Sequence, residues 1–157
     1  MLIYFQDYLT FENIYLWTNF GVVPFWLMLI LIPNSKITQI FTNSIILPLI
    51  FASAAGYVIY ETILLGESIF DVFKLYLSLD DLYTMFATES LLLIFWLHFL
   101  AINIFLGSWV SRDGVKYNLS RGLVSVPLIL IYLTGPVGLV IYWMIRIFYA
   151  KKLGFHD

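Results

Sequence analysis

Five polar side chains stand inside, or at the edges of, long apolar runs: Glu61, Glu89, His98, Asn103 and Arg146. An imidazole suits proton transfer near neutral pH, because its ordinary pKa is about 6.5. A carboxylate beside it would orient or charge it, and a guanidinium would balance the carboxylates. His98 is therefore the acid/base candidate, Glu61 its orienting partner and Arg146 the balancing charge. The competing account of His98 is a neutral imidazole hydrogen-bonded to a neighbouring helix.

The histidine count narrows the chemistry. Only His98 and His156 occur, and there is no cysteine. A histidine-rich di-iron centre, a cysteine-ligated cluster and a disulfide are excluded. A bis-histidine haem would need a second subunit, whereas a chlorophyll-type magnesium would need one imidazole only. No metal ligand set is assigned.

The elements around these residues follow from composition. Of 157 residues, 62% are hydrophobic and 11% charged, against about 25% charged in a soluble domain. Lipid must therefore cover most of the surface, and the first expected partner is the bilayer. A net charge of −2 without a basic cluster excludes nucleic-acid binding. The opening MLIYFQDYLTFEN has neither a basic n-region nor a small-residue cleavage site, so direct insertion into a bacterial inner membrane is expected.

The charge-poor runs, at roughly 20 residues per crossing, predict an all-α integral membrane protein in one membrane domain over 1–157. Its spans fall at about 13–32, 45–65, 90–110 and 122–146, a four-transmembrane-helix bundle. Pro33 ends the first span, Asp113-Gly114 stops the third and Ser120 is an N-cap for the fourth. Ala52 and Gly56 allow close packing in the second.

The connection over 66–89 differs, with charges set among aromatic residues at helical spacing. It predicts an amphipathic segment in the interface between helices 2 and 3, the alternative being a partly ordered acidic loop. Ser78-Leu-Asp-Asp81 matches a capping box, so a new helix is expected there, running into span three.

Four crossings put Lys74, Arg146, Lys151 and Lys152 on one side and Lys36, Arg112, Lys116 and Arg121 on the other. That balance leaves the positive-inside rule without a decision; the short loops are assigned to the cytoplasm because their basic residues lie nearest the span ends. The same directions bring Glu61, Glu89 and Arg146 to one side, opening a polar path from Glu89 and Arg146 past Glu61 to His98. Separate snorkelling of these groups is the alternative.

Within span four, Pro136 removes a backbone hydrogen bond and predicts a kink. A kink beside His98 would open a pocket for a long apolar ligand, with Asn103, Phe105, Trp109 and Pro136 as candidates to line it. Asn103 points about 140° away from His98 around the helix. Interhelical hydrogen-bond glue is its other reading.

The run His98-Phe-Leu-Ala101-Ile-Asn103-Ile-Phe105 to Asp113-Gly114, followed by Pro127, Gly135-Pro136-Val-Gly138-Leu and Arg146, resembles the abscisic-acid-deficient-4 family. These are small four-span proteins of plastids and bacteria, and the resemblance covers roughly residues 13–150. The family pattern is H-x-x-A-x-D-x-F, D-G about fifteen residues after the His, then G-P-x-G-L and an Arg. Asn103 replaces the family's Asp, and Ser108 stands where an Arg is common. Proton chemistry by that Asp–Arg pair is therefore not carried over.

The plant member is required to form neoxanthin from violaxanthin, a rearrangement of a carotenoid epoxide. The resemblance thus implies carotenoid or isoprenoid modification or binding within the bilayer, of isomerase or epoxide-rearranging type if enzymatic. It implies a lipophilic small-molecule partner, with a carotenoid or other lipophilic pigment as the bound group. The alternative is a non-enzymatic accessory subunit of a larger, pigment-containing membrane complex, or a homo-oligomer.

Overall fold

A computed structural model of the chain describes residues 8–66, 73, 76–151 and 154. Among the described residues all regular structure is helical: α1 Phe11–Leu31, α2 Lys36–Phe41, α3 Ile46–Leu64, α4 Leu79–Phe86, α5 Glu89–Lys116, α6 Arg121–Thr134 and α7 Pro136–Ala150.

Short polar residues start α1, α2 and α4. The Asn13 amide donates to Thr10 Oγ1 at 3.2 Å, and Glu12 in the first turn of α1 opposes the positive end of its dipole. Ser35 accepts from the Thr38 amide at the start of α2. Ser78 accepts from the Asp81 amide at 3.1 Å, so the predicted cap does begin a helix. That helix ends at Phe86 and does not run into α5. Its outward apolar side chains include Leu79 and Tyr83. Glu67, Ile69, Asp71 and Lys74 of the predicted amphipathic segment lie outside the described residues.

Three helices, α1, α3 and α5, are long and apolar enough to cross a membrane. At 1.5 Å per residue their 21, 19 and 28 residues give about 32, 28 and 42 Å, against a hydrocarbon core of about 30 Å. The expected stop at Asp113-Gly114 is corrected. Both residues are helical, and α5 ends at Lys116 before Asn118 turns to φ 52°.

The fourth predicted span is also corrected, since 122–146 is not one helix. α6 has 14 residues and α7 has 15, about 21 and 22 Å, each short of a full crossing. Between them Gly135 takes φ 62°, ψ −101°, a conformation that a side chain disfavours. α7 then turns back onto α6. A Cβ built on Gly138 would lie 2.6 Å from the Pro127 carbonyl oxygen and closer still to the Ile131 amide nitrogen. In an unbroken helix residues 127 and 138 would be about 16 Å apart. The pair is therefore a helical hairpin with Gly135-Pro136 at its tip, where the sequence predicts only a kink.

Two compact units share the chain, one drawing on residues up to Gly21 and on Ile50–Phe99, the other on Val22–Leu49 and Leu100 onward. In the first, Ile14, Phe51, Val58, Leu93 and Leu97 are buried, and Trp96 Nε1 donates to Asn19 Oδ1 at 2.9 Å. In the second, Leu29, Leu100, Ile104, Val110, Leu128 and Ile131 form the core. Trp26 packs edge-on against Tyr132 with ring centres 5.4 Å apart. Ser111 Oγ donates to the Leu29 carbonyl, and Ser108 Oγ is bonded to Asn43 Oδ1 at 2.7 Å.

Candidate functional site

Reversal of the chain at Gly135 decides where the charged groups go. α7 brings Tyr142 and Arg146, one turn apart, back to Asp113 in the last part of α5. The Tyr142 hydroxyl donates to Asp113 Oδ2 at 2.6 Å. Arg146 Nε stands 2.8 Å from the same oxygen, with the arginine fully buried and the aspartate nearly so. The guanidinium also donates to the Tyr117 hydroxyl at 3.3 Å and to the Gly154 carbonyl.

Aromatic rings close over this cation. The guanidinium carbon is 5.0 Å from the Tyr117 ring centre, 5.2 Å from that of Trp143 and 6.0 Å from that of Trp109. Trp109 and Trp143 stack nearly parallel at 5.4 Å, and Tyr142 meets Trp109 edge-on at 5.8 Å. Ring faces carry negative potential, so a buried guanidinium gains by sitting over them. The cluster fixes the base of the hairpin against α5.

At the tip the polar group is Asn103, the fifteenth residue of the 28 in α5. It is 3% exposed. Its Oδ1 lies 2.8 Å from where a Gly135 Cβ would stand, while its buried Nδ2 finds no acceptor.

The remaining candidates have these surroundings within their own units. His98 is exposed on α5. Glu61 is half-buried and lines, with Tyr57, Leu9, Thr10 and Phe11, a cavity of about 250 Å³. Glu89 is exposed and lines another, of about 520 Å³, with Glu12, Tyr15 and Trp96. Phe105 and Pro136 are exposed, and Trp109 belongs to the arginine cage.

Arg146 is committed to Asp113, a pairing that the expected polar path from Glu89 and Arg146 past Glu61 to His98 does not include. In the sequence Asp113 reads only as a helix stop and a residue of the family pattern, and Tyr117 and Tyr142 have no part in a site; the structure gathers all three around Arg146. A signal existed, because one carboxylate inside an apolar helix needs a cation, and Arg146 was the charge left within an apolar stretch.

A family model described as ABA DEFICIENT 4-like matches residues 13–142, which include Asp113, Tyr142 and the hairpin tip. No curated protein and no solved structure gives a match.

Proposed function

This chain belongs to the ABA DEFICIENT 4-like family, and on that premise we propose that it binds or modifies a carotenoid or related isoprenoid within a bacterial inner membrane. The observation that carries the reading is the hairpin. Non-helical backbone at membrane depth is tolerated where it is buried in protein or lines a cavity, and broken helices in membranes commonly mark binding sites. Here the break falls at Gly135-Pro136, with a buried amide against it.

The topology that goes with this reading has three crossings, α1, α3 and α5, and a hairpin that enters and leaves on one side. Among the described residues, Lys36, Arg112, Lys116, Arg121, Arg146 and Lys151 then share that side. Under the positive-inside rule the hairpin opens from the cytoplasm.

An accessory-subunit reading has one observation in its favour, the exposed His98. An ionisable side chain inside a membrane span rarely faces lipid and usually meets a partner.

The test is purification in mild detergent, followed by an absorption spectrum and mass spectrometry of the extracted lipids. The isoprenoid reading expects a stoichiometric isoprenoid, lost or altered in the His98→Ala protein. Phospholipid alone, with the protein migrating in a larger defined complex, replaces it by the accessory reading.

A further inference from the structure

We propose that the hairpin tip is a hydrogen-bond donor site for the neutral oxygen of a lipophilic guest, centred on Asn103 Nδ2 and the first turn of α7. The proposal deepens the isoprenoid reading by naming the group recognised, and rests on that reading for its membrane setting.

The amide supplies the first observation. Asn103 is almost wholly buried, and a buried N–H without an acceptor has lost its hydration with nothing to replace it. Its carbonyl end faces Gly135; its nitrogen has nothing. A side chain serving only as glue between helices would have both ends paired.

The second observation is the helix start beside the carbonyl end of that amide. Gly135 is the N-cap of α7 and has no side chain to cap with. Pro136 has no N–H, and the first backbone bond of α7 is the long one from the Leu139 amide to the Gly135 carbonyl, 3.4 Å. The amides of Val137 and Gly138 precede that bond, so they belong to the unpaired donors of a helix N-terminus.

The charge of the guest follows from the two helix ends that meet here. The negative end of the α6 dipole and the positive end of α7 adjoin across a single residue, so their fields largely cancel. An anion gains little from such a site and loses its hydration in the membrane. A carbonyl, ether, epoxide or hydroxyl oxygen gains the missing hydrogen bond at small cost. Leu133, Thr134, Pro136 and Val137 are exposed around the tip while Asn103 Nδ2 beneath them is covered, so a guest approaching laterally from lipid reaches the donor by displacing the side chains of the tip. Asn103 lies midway along its helix, which places the oxygen near the middle of the membrane rather than at a headgroup.

The experiment uses the full chain in nanodiscs with ¹⁵N-labelled asparagine. The Asn103 side-chain resonance is identified by its loss in Asn103→Leu. Two probes are titrated: 6-undecanone, whose oxygen lies mid-chain, and undecane, which lacks it. The proposal expects a saturable shift of the Asn103 Nδ2 resonance with the ketone and none with the hydrocarbon. It also expects binding of the ketone to be about tenfold weaker in Asn103→Leu, the loss of one hydrogen bond. No shift with the ketone, an equal shift with both probes, or exchange with bound water that the ketone leaves unchanged would overturn it. Because the probes are not isoprenoids, a ketone-responsive protein that purifies without isoprenoid keeps this site while removing the isoprenoid reading.

Discussion

Arg146 and Asp113 are 33 residues apart in the sequence, yet Nε of one stands 2.8 Å from Oδ2 of the other with both side chains buried. That contact exists only because the chain reverses at Gly135. It ties the second arm of the hairpin to α5 at the end away from the tip, and the Tyr142 hydroxyl closes on the same carboxylate oxygen. Tip and base are thus coupled: the pair at the base holds the arm whose first turn faces Asn103.

Breaking this pair from one side should be severe. Asp113→Leu leaves a buried guanidinium without its counter-ion, and Arg146→Met leaves a buried carboxylate. Either loss costs about 3–5 kcal/mol. Removing the polar groups together, in Asp113→Leu/Tyr142→Phe/Arg146→Met, should recover more than half of that, since an apolar replacement leaves no orphaned charge. Thermal unfolding in detergent followed by tryptophan fluorescence checks it. Additive losses in the triple variant would mean the three residues do not act as one cluster.

Two glycines are predicted to resist substitution while a third accepts it. Gly138→Ala drives a Cβ into the backbone of Ile131 and Pro127, with an overpacking cost of about 1–3 kcal/mol. Gly135→Ala meets Asn103 Oδ1 and holds alanine at φ +62°, adding about 1–2 kcal/mol of strain. Gly21 sits within α1 with open space at its Cβ position, so Gly21→Ala should be neutral or stabilising by up to about 1 kcal/mol. Midpoints measured side by side in one detergent decide the order.

The hairpin also predicts the membrane topology. The chain has no cysteine, so single cysteines report without background. In spheroplasts, cysteines at Ser120 and Lys151 should both be protected from an impermeant maleimide and label only after lysis. A cysteine at Ser78 should label directly. Matching behaviour of the Lys151 and Ser78 positions would restore an ordinary fourth crossing.

What could be read from the sequence, and what could not, divides at Gly135. The runs near 13–32, 45–65 and 90–110 were legible because lipid demands length and apolarity, and α1, α3 and α5 fall on them within a few residues except at the end of α5. Ser78 was legible because its cap bond is local. The run 122–146 has the length of a span, and hydropathy does not distinguish a crossing from a reversal of two half-length helices. That distinction lies in Gly135, in the close approach of Gly138 to Pro127 and in the pairing of Arg146 with Asp113, all of which are tertiary. The even division of basic residues leaves four crossings without a decided orientation. Asn103 is a similar case. Its spacing from His98 indicated that the two point apart, but its contact with Gly135 required the hairpin.

His98 should separate stability from function. It is exposed on α5 within a span, so it contributes no buried packing, and an imidazole facing lipid is unfavourable. His98→Leu should therefore leave the unfolding midpoint unchanged or raise it, in contrast to Arg146→Met. If His98 meets a guest or a partner subunit, the same substitution removes it. Bound isoprenoid should fall in the lipid extract, or the native assembly should shrink on size exclusion with light scattering, while the fold persists. A His98→Leu protein with unchanged lipid content and unchanged mass would show that the imidazole serves neither role, and attention would move to the hairpin tip alone.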